Sequence, residues 1–134
     1  MRQPALILVV DDNESGLFLV RTVLELEGFV VDSAGSAEEV LERLRFRTPD
    51  LVLMDVQLPG QDGLALTRQL KADPATAAIK IVALTAYAMA GDREQALAAG
   101  CIGYISKPID TRAIGDQVRQ FLSTEPIEPV AAGE

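Results

Sequence analysis

The 134 residues include no histidine and no tryptophan. Without histidine there is no imidazole acid–base catalysis, no histidine-ligated zinc and no role as a phosphohistidine carrier. Aromatics are only 4% of the chain, two Tyr and four Phe, so the core has to be aliphatic. One cysteine, Cys101, excludes an intramolecular disulfide framework. Set among small and apolar neighbours, it reads as a packed core thiol and fits a reducing compartment. Basic residues are outnumbered, 12 Lys and Arg against 20 Asp and Glu, for a net charge of -8. Such a surface repels phosphate backbones, so no nucleic-acid partner is expected. No apolar run reaches about 18 residues, so no membrane span is expected. The N-terminus lacks the basic region, long apolar stretch and cleavage site of a secretory signal. A soluble, cytoplasmic protein is the expectation.

Hydrophobic residues make up 49% of the chain, enough for the core of one domain. Ala5 to Val10 is a short continuous apolar run ending at two aspartates, the mark of a buried central strand. Asn13 to Glu27 has helical spacing, with Val20, Val23 and Leu24 on one face and Gly28 as the stop. Phe29 to Ser33 reads as a second strand. Ser36 with Glu39 three residues on is a capping box opening a second helix. Leu51 to Met54 is a third strand, Leu58 to Gly63 a loop by its turn residues, and Leu64 to Lys71 a third helix. Ile79 to Leu84 and Ile102 to Ile105 are the remaining strands. Met89 to Ala99 is a fourth helix, and a fifth opens at Asp110 or Thr111 and runs to about Leu122. Five strands alternating with five helices predict an α/β fold with a single doubly wound parallel sheet. Residues 1–122 then form one domain, and the polar stretch 123–134, with two prolines, a flexible C-terminal tail.

Four of the strands run into polar residues: Asp11 and Asp12, Asp55, Thr85, and Ser106-Lys107. In a parallel sheet these ends share one edge, where ligands bind. Three carboxylates brought together repel one another, and a divalent cation and a lysine relieve that repulsion. Oxygen donors without His or Cys favour Mg²⁺ over zinc. A carboxylate beside such an ion is a competent nucleophile toward phosphorus, with Lys107 and the Thr85 hydroxyl to neutralise and hydrogen-bond the equatorial oxygens.

Asp11-Asp12, the segment from Leu53 through Asp55 to Gly63, Leu84-Thr85-Ala86, and Tyr104-Ile105-Ser106-Lys107-Pro108 together resemble the CheY-like response-regulator receiver family of two-component signalling. The wording is most similar to stand-alone regulators of the DivK kind and to receivers of hybrid histidine kinases. The resemblance spans roughly Leu6 to Leu122. It implies strand order 2-1-3-4-5, counting the five main strands. It implies Asp55 as phosphoacceptor, with Mg²⁺ held by Asp12, Asp55 and the backbone carbonyl of Gln57, and by Asp11 mostly through water. It implies that Lys107 pairs with Asp55 or the phosphoryl group, and that a cis peptide bond precedes Pro108. Thr85 and Tyr104 become coupled switch residues. The phosphoryl donor becomes a histidine kinase or histidine phosphotransfer protein. A signalling switch is expected, not a metabolic enzyme.

Other features bear on partners. Phe18 points away from the inner face of the first helix, and with Leu17 is a candidate docking patch for a helical donor. The run Ala86 to Ala90 suits an output surface. Gln57 and Tyr87 flank the pocket and are placed to shield an acyl phosphate from water. The charges Asp92-Arg93-Glu94 read as a solvated helix face. Met1 just ahead of the first strand suggests a complete chain, monomeric or a weak dimer, signalling by protein–protein contact to an unknown target. Three alternatives are weighed. A degenerate receiver, a constitutive binding module, is disfavoured by the complete acidic site. A flavodoxin-type carrier is disfavoured by the acidic first loop, which would repel an FMN phosphate. A phosphatase of the haloacid dehalogenase kind would need an Asp-x-Asp-Gly-Thr run after the first strand, and none is present.

Overall fold

Strand β1 (Leu6–Val10) lies between β2 (Val30–Ala34) and β3 (Leu51–Asp55), parallel to both. In this computed structural model, which describes residues 4–58, 60–86 and 90–123 (the side chains of 61 and 90 apart), β3 in turn pairs with β6 (Lys80–Thr85) and β6 with β7 (Gly103–Ser106). All four pairings are parallel, and the order β2-β1-β3-β6-β7 is the expected 2-1-3-4-5 counted over the main strands. Two further short strands, β4 (Gln57–Leu58) and β5 (Gln61–Asp62), form an antiparallel ladder in the stretch read as loop. Gly60, at a φ of 73°, lies between them in the left-handed region that glycine adopts freely.

Helices α1 (Glu14–Leu26), α2 (Ala37–Phe46), α3 (Gly63–Ala72), α4 (Ala90–Ala99) and α5 (Ile114–Ser123) cover both faces. Because the sheet is buried on both sides, its strands are continuously apolar and alternate residues feed two cores. Leu8, Val10, Val52, Met54, Ile81 and Ala83 meet α2, α3 and α4. Ile7, Val9, Leu51, Leu53, Val82 and Leu84 meet α1 and α5 through Val20, Leu24, Ile114 and Val118. Side-chain parity along each strand therefore decides which helices a residue faces.

Local signals set most helix ends. Asn13 Oδ1 accepts from Gly16 N at 2.9 Å and opens α1. Gly28, at a φ of 100°, supplies the left-handed turn that ends it. Ser36 Oγ accepts from Glu39 N at 3.2 Å, while Glu39 Oε1 reaches back to Gly35 N at 2.6 Å. The last helix begins later than expected. Asp110 to Ala113 form a turn in which Asp110 O accepts from Ala113 N and Ile114 N, both at 3.0 Å, and Asp110 Oδ1 accepts from Arg112 N. An aspartate that bonds the backbone two residues on favours this turn over immediate helix. Cys101 is buried, as expected, and burial pushes its thiol from 9.0 up to about 11. The proposed tail past Ser123 lies outside the described residues, as do Tyr87, Ala88 and Met89 of the suggested output run.

Candidate functional site

The C-terminal ends of β1, β3, β6 and β7 lie along one edge of the sheet, and each delivers a polar residue there. Asp11 follows β1, its N–H donating to Ala34 O of β2 at 3.0 Å. Asp55 is the last residue of β3 and Thr85 the last of β6. Lys107 follows β7, and its N–H donates to Thr85 O at 2.8 Å. The Lys107–Pro108 peptide is cis. Asp11, Asp55 and Thr85 are 6%, 4% and 6% exposed, whereas Asp12 faces solvent.

One carboxylate oxygen from each of Asp11, Asp12 and Asp55 lies within 4.8 Å of the other two. Asp11 and Asp55 are held alike. One oxygen of each accepts a backbone N–H two residues on, Asn13 N to Asp11 Oδ1 at 3.0 Å and Gln57 N to Asp55 Oδ1 at 2.9 Å. The other oxygen faces the Lys107 ammonium, whose Nζ lies 2.9 Å from Asp55 Oδ2 and 3.0 Å from Asp11 Oδ2. The ion pair with Asp55 follows the expectation; the second, to Asp11, was not foreseen. Lysine carries several rotatable donors, so one ammonium can bridge two carboxylates.

Charge balance at this edge is tense. Burial pushes the Asp55 carboxyl above its ordinary range, outweighing the Gln57 N–H and the Lys107 ammonium, while the nearby Asp11 charge pushes the same way. Burial disfavours the charged form of Lys107 too, but its hydrogen bonds to Asp55 and Asp11 raise it overall, so it stays an ammonium. One ammonium set against three carboxylates leaves excess negative charge that a divalent ion would neutralise.

Sequence reasoning missed Gly63. A β-carbon there would sit 2.0 Å from the Asp55 carbonyl oxygen and 2.9 Å from Val56 Cα. Gly63 N donates to Val56 O at 3.0 Å, and Asp62 Oδ1 caps α3 by accepting from Leu64 N at 2.8 Å. The glycine thus lets α3 start directly against the residue carrying the central carboxylate. Only its place at the end of a turn-rich run hinted at it, and that run was read as loop.

Tyr104 is half-buried on β7, in register with Ala83 of β6, and packs against the core beneath α4. Thr85, two residues beyond Ala83, shares that face of the sheet. A cavity of about 420 Å³ opens there, lined by Ala83, Thr85, Ala96, Leu58 and Asp92 among others. The solvated face expected of Asp92-Arg93-Glu94 holds for Arg93 and Glu94, both exposed, and not for Asp92. Asp92 is half-buried on the cavity wall, and the Arg93 guanidinium sits over the Tyr104 ring, 5.1 Å from its centroid.

Of the docking pair, Phe18 is 72% exposed, but Leu17 is half-buried against the α1/α5 core. The exposed neighbour of Phe18 is Leu19. The correction follows from helical geometry: Leu17 lies about one turn from Val20 and about two turns from Leu24, on their side of the helix.

Residues 7–119 match the response regulator receiver domain family. The chain is 38% identical over 119 residues to the polar-differentiation response regulator DivK of Brucella anthropi, covering 89% of this chain and 97% of that one. A CheY-like response regulator receiver domain protein of Methanospirillum hungatei superposes with a TM-score of 0.80 at 29% identity, covering 89% of this chain and 94% of the other. The receiver domain of a Pseudomonas aeruginosa sensor histidine kinase, whose structure has a magnesium ion in its active-site cleft, gives a TM-score of 0.80 at 29% identity, covering 90% and 99%.

Proposed function

The chain belongs to the response regulator receiver family of two-component signalling, and from that membership we propose that Asp55 is its phosphoacceptor and that Asp11, Asp12, Thr85 and Lys107 assist it. The observation that carries this reading is the convergence of three carboxylates within 4.8 Å, two of them bridged by the Lys107 ammonium. A merely structural cluster gains nothing by placing three like charges together.

The donor set fits a hard divalent cation: all ligands are oxygens and the described part of the cluster offers no nitrogen or sulfur. Asp12, Asp55 and the backbone carbonyl of Gln57 would hold Mg²⁺, with Asp11 bound through water. The ion supplies neutralisation of the phosphoryl oxygens. The protein does the rest. The Gln57 N–H fixes the Asp55 carboxylate, leaving its other oxygen to attack phosphorus in line. The P–O bond to Asp55 forms as the P–N bond of a donor phosphohistidine breaks, and the bonding pair leaves with the imidazole, which takes up a proton. Lys107 is freed from Asp55 to pair with the incoming phosphoryl group, and the Thr85 hydroxyl donates to another of its oxygens.

The donor is a histidine kinase or a histidine phosphotransfer protein, received at the edge of α1 where Phe18 and Leu19 stand exposed beside the site. Thr85 and Tyr104 then carry the state of Asp55 to α4 and β7. A protein target reads that change. The receiver comprises residues 1–122 and acts as a monomer or weak dimer. No helix among the described residues is long and apolar enough to cross a membrane.

Incubation with a small phosphodonor, followed by intact-mass measurement, tests the reading. The parent protein gains one phosphoryl group with Mg²⁺ and none after chelation, and Asp55→Asn gains none under either condition. Mg²⁺-independent labelling, or labelling that survives in Asp55→Asn, contradicts it.

A further inference from the structure

Resting on the reading of Tyr104 as a moving switch residue, we propose that Arg93 is a latch that holds the Tyr104 ring in its half-buried place and so biases this receiver toward its unphosphorylated state. Arg93 lies in α4 (Ala90–Ala99), and Tyr104 in β7 (Gly103–Ser106), two elements packed side by side. The guanidinium stands over the ring at 5.1 Å from its centroid, inside the range of an attractive cation–π contact. Arg93 itself is exposed and has no part in the acidic cluster.

The surroundings give the ring somewhere else to go. Tyr104 is in register with Ala83, a residue too small to fill the space above the sheet. The cavity of about 420 Å³ lined by Ala83, Thr85 and Ala96 lies on that same face. When Thr85 turns toward a phosphoryl oxygen, a ring that moves in beside it must leave the guanidinium. Arg93 contributes only to the position it touches, so it has the differential interaction that shifting a two-state equilibrium requires. A half-exposed cation–π contact displaces such an equilibrium by about two- to fivefold. The latch thus sets how much of the signalling conformation exists before phosphorylation, and how tightly a phosphoryl mimic binds.

Tyr87 and Tyr104 are the two tyrosines of the chain, so fluorotyrosine labelling yields two resonances, and Tyr104→Phe assigns them. Spectra are compared for the parent, Arg93→Ala and Arg93→Lys, free and with Mg²⁺ and beryllofluoride. We expect the Tyr104 resonance of free Arg93→Ala to be displaced toward its beryllofluoride-bound position. The beryllofluoride midpoint falls by about two- to fivefold, and Arg93→Lys lies between parent and Ala. In a Tyr104→Leu background, Arg93→Ala leaves the midpoint unchanged, read on the fluoride's own resonance. A parent resonance that does not move on saturation overturns the switch reading, and the latch with it. A resonance that moves in the parent but is unaltered by Arg93→Ala overturns the latch alone, as does an equal midpoint shift in the Tyr104→Leu background.

Discussion

A β-carbon on Gly63 would stand 2.0 Å from the carbonyl oxygen of Asp55, and there is no soft side chain to yield, only backbone. Gly63→Ala should therefore push α3 away from the end of β3, at a cost of at least about 2 kcal/mol. Urea unfolding measures the loss, and an unchanged midpoint would show that the close approach does not exist in solution. Cys101 makes a different prediction at this scale. Its thiol is raised from 9.0 to about 11 by burial, so the folded protein holds that proton at pH values where the unfolded chain has released it. Stability contributed by the neutral thiol is thus complete below about pH 9 and is lost as pH rises from 9 to 11, by at most roughly 2–3 kcal/mol. Denaturant titrations across that window should show a steeper decline for the parent than for Cys101→Ala; parallel curves would remove the effect. Cys101 was readable as a core residue from its small neighbours. The need for glycine at 63 was not, because it arises from a backbone contact that no local pattern encodes.

At the scale of single elements, what a few neighbouring residues decide was legible, and what distant ones decide was not. The Ser36 cap follows from residue type and spacing, whereas Asn13, read as the first residue of the helical stretch, proves to be its cap. The end of α5 does not: Lys80, at the start of β6, donates to the carbonyls of Leu122 at 2.5 Å and Phe121 at 3.5 Å. A cation there satisfies orphan carbonyls and opposes the negative end of the helix. Lys80→Ala should fray the last turn of α5 and cost about 1 kcal/mol, with faster amide exchange confined to that turn; protection equal to the parent would deny the capping role. In α1 the apolar stripe was legible, but the partition of Leu17 and Leu19 needed the observed packing. Phe18→Asp is expected to slow phosphoryl transfer from the cognate kinase severalfold while leaving labelling by a small phosphodonor unchanged. An equal effect on both donors would place Phe18 in the site's own structure and not at a docking surface.

For the molecule as a whole, the alternation of apolar strands and helices already implied the parallel sheet, and the strand ends implied where chemistry collects. The sheet brings Asp11, Asp12, Asp55, Thr85 and Lys107 to one edge from four separate parts of the chain. The sequence did not announce the bridging of Asp11 by Lys107 or the cover of Arg93 over Tyr104, since both depend on which helix packs beside which strand. If the acidic cluster binds Mg²⁺ in the folded state only, the ion should stabilise the fold by about 2.7 kcal/mol at a hundredfold excess over its dissociation constant. Asp12→Asn should lose most of that gain in a thermal melt; an equal gain in both proteins would place the ion elsewhere. Phosphorylation of Asp55 can be located chemically. Hydride reduction of the phosphorylated protein converts an aspartyl phosphate to homoserine, which peptide sequencing by mass then locates. Homoserine is expected at position 55 and at no other aspartate; homoserine at position 11 or 12, or aspartate intact at all three positions in fully phosphorylated protein, rules Asp55 out as the acceptor.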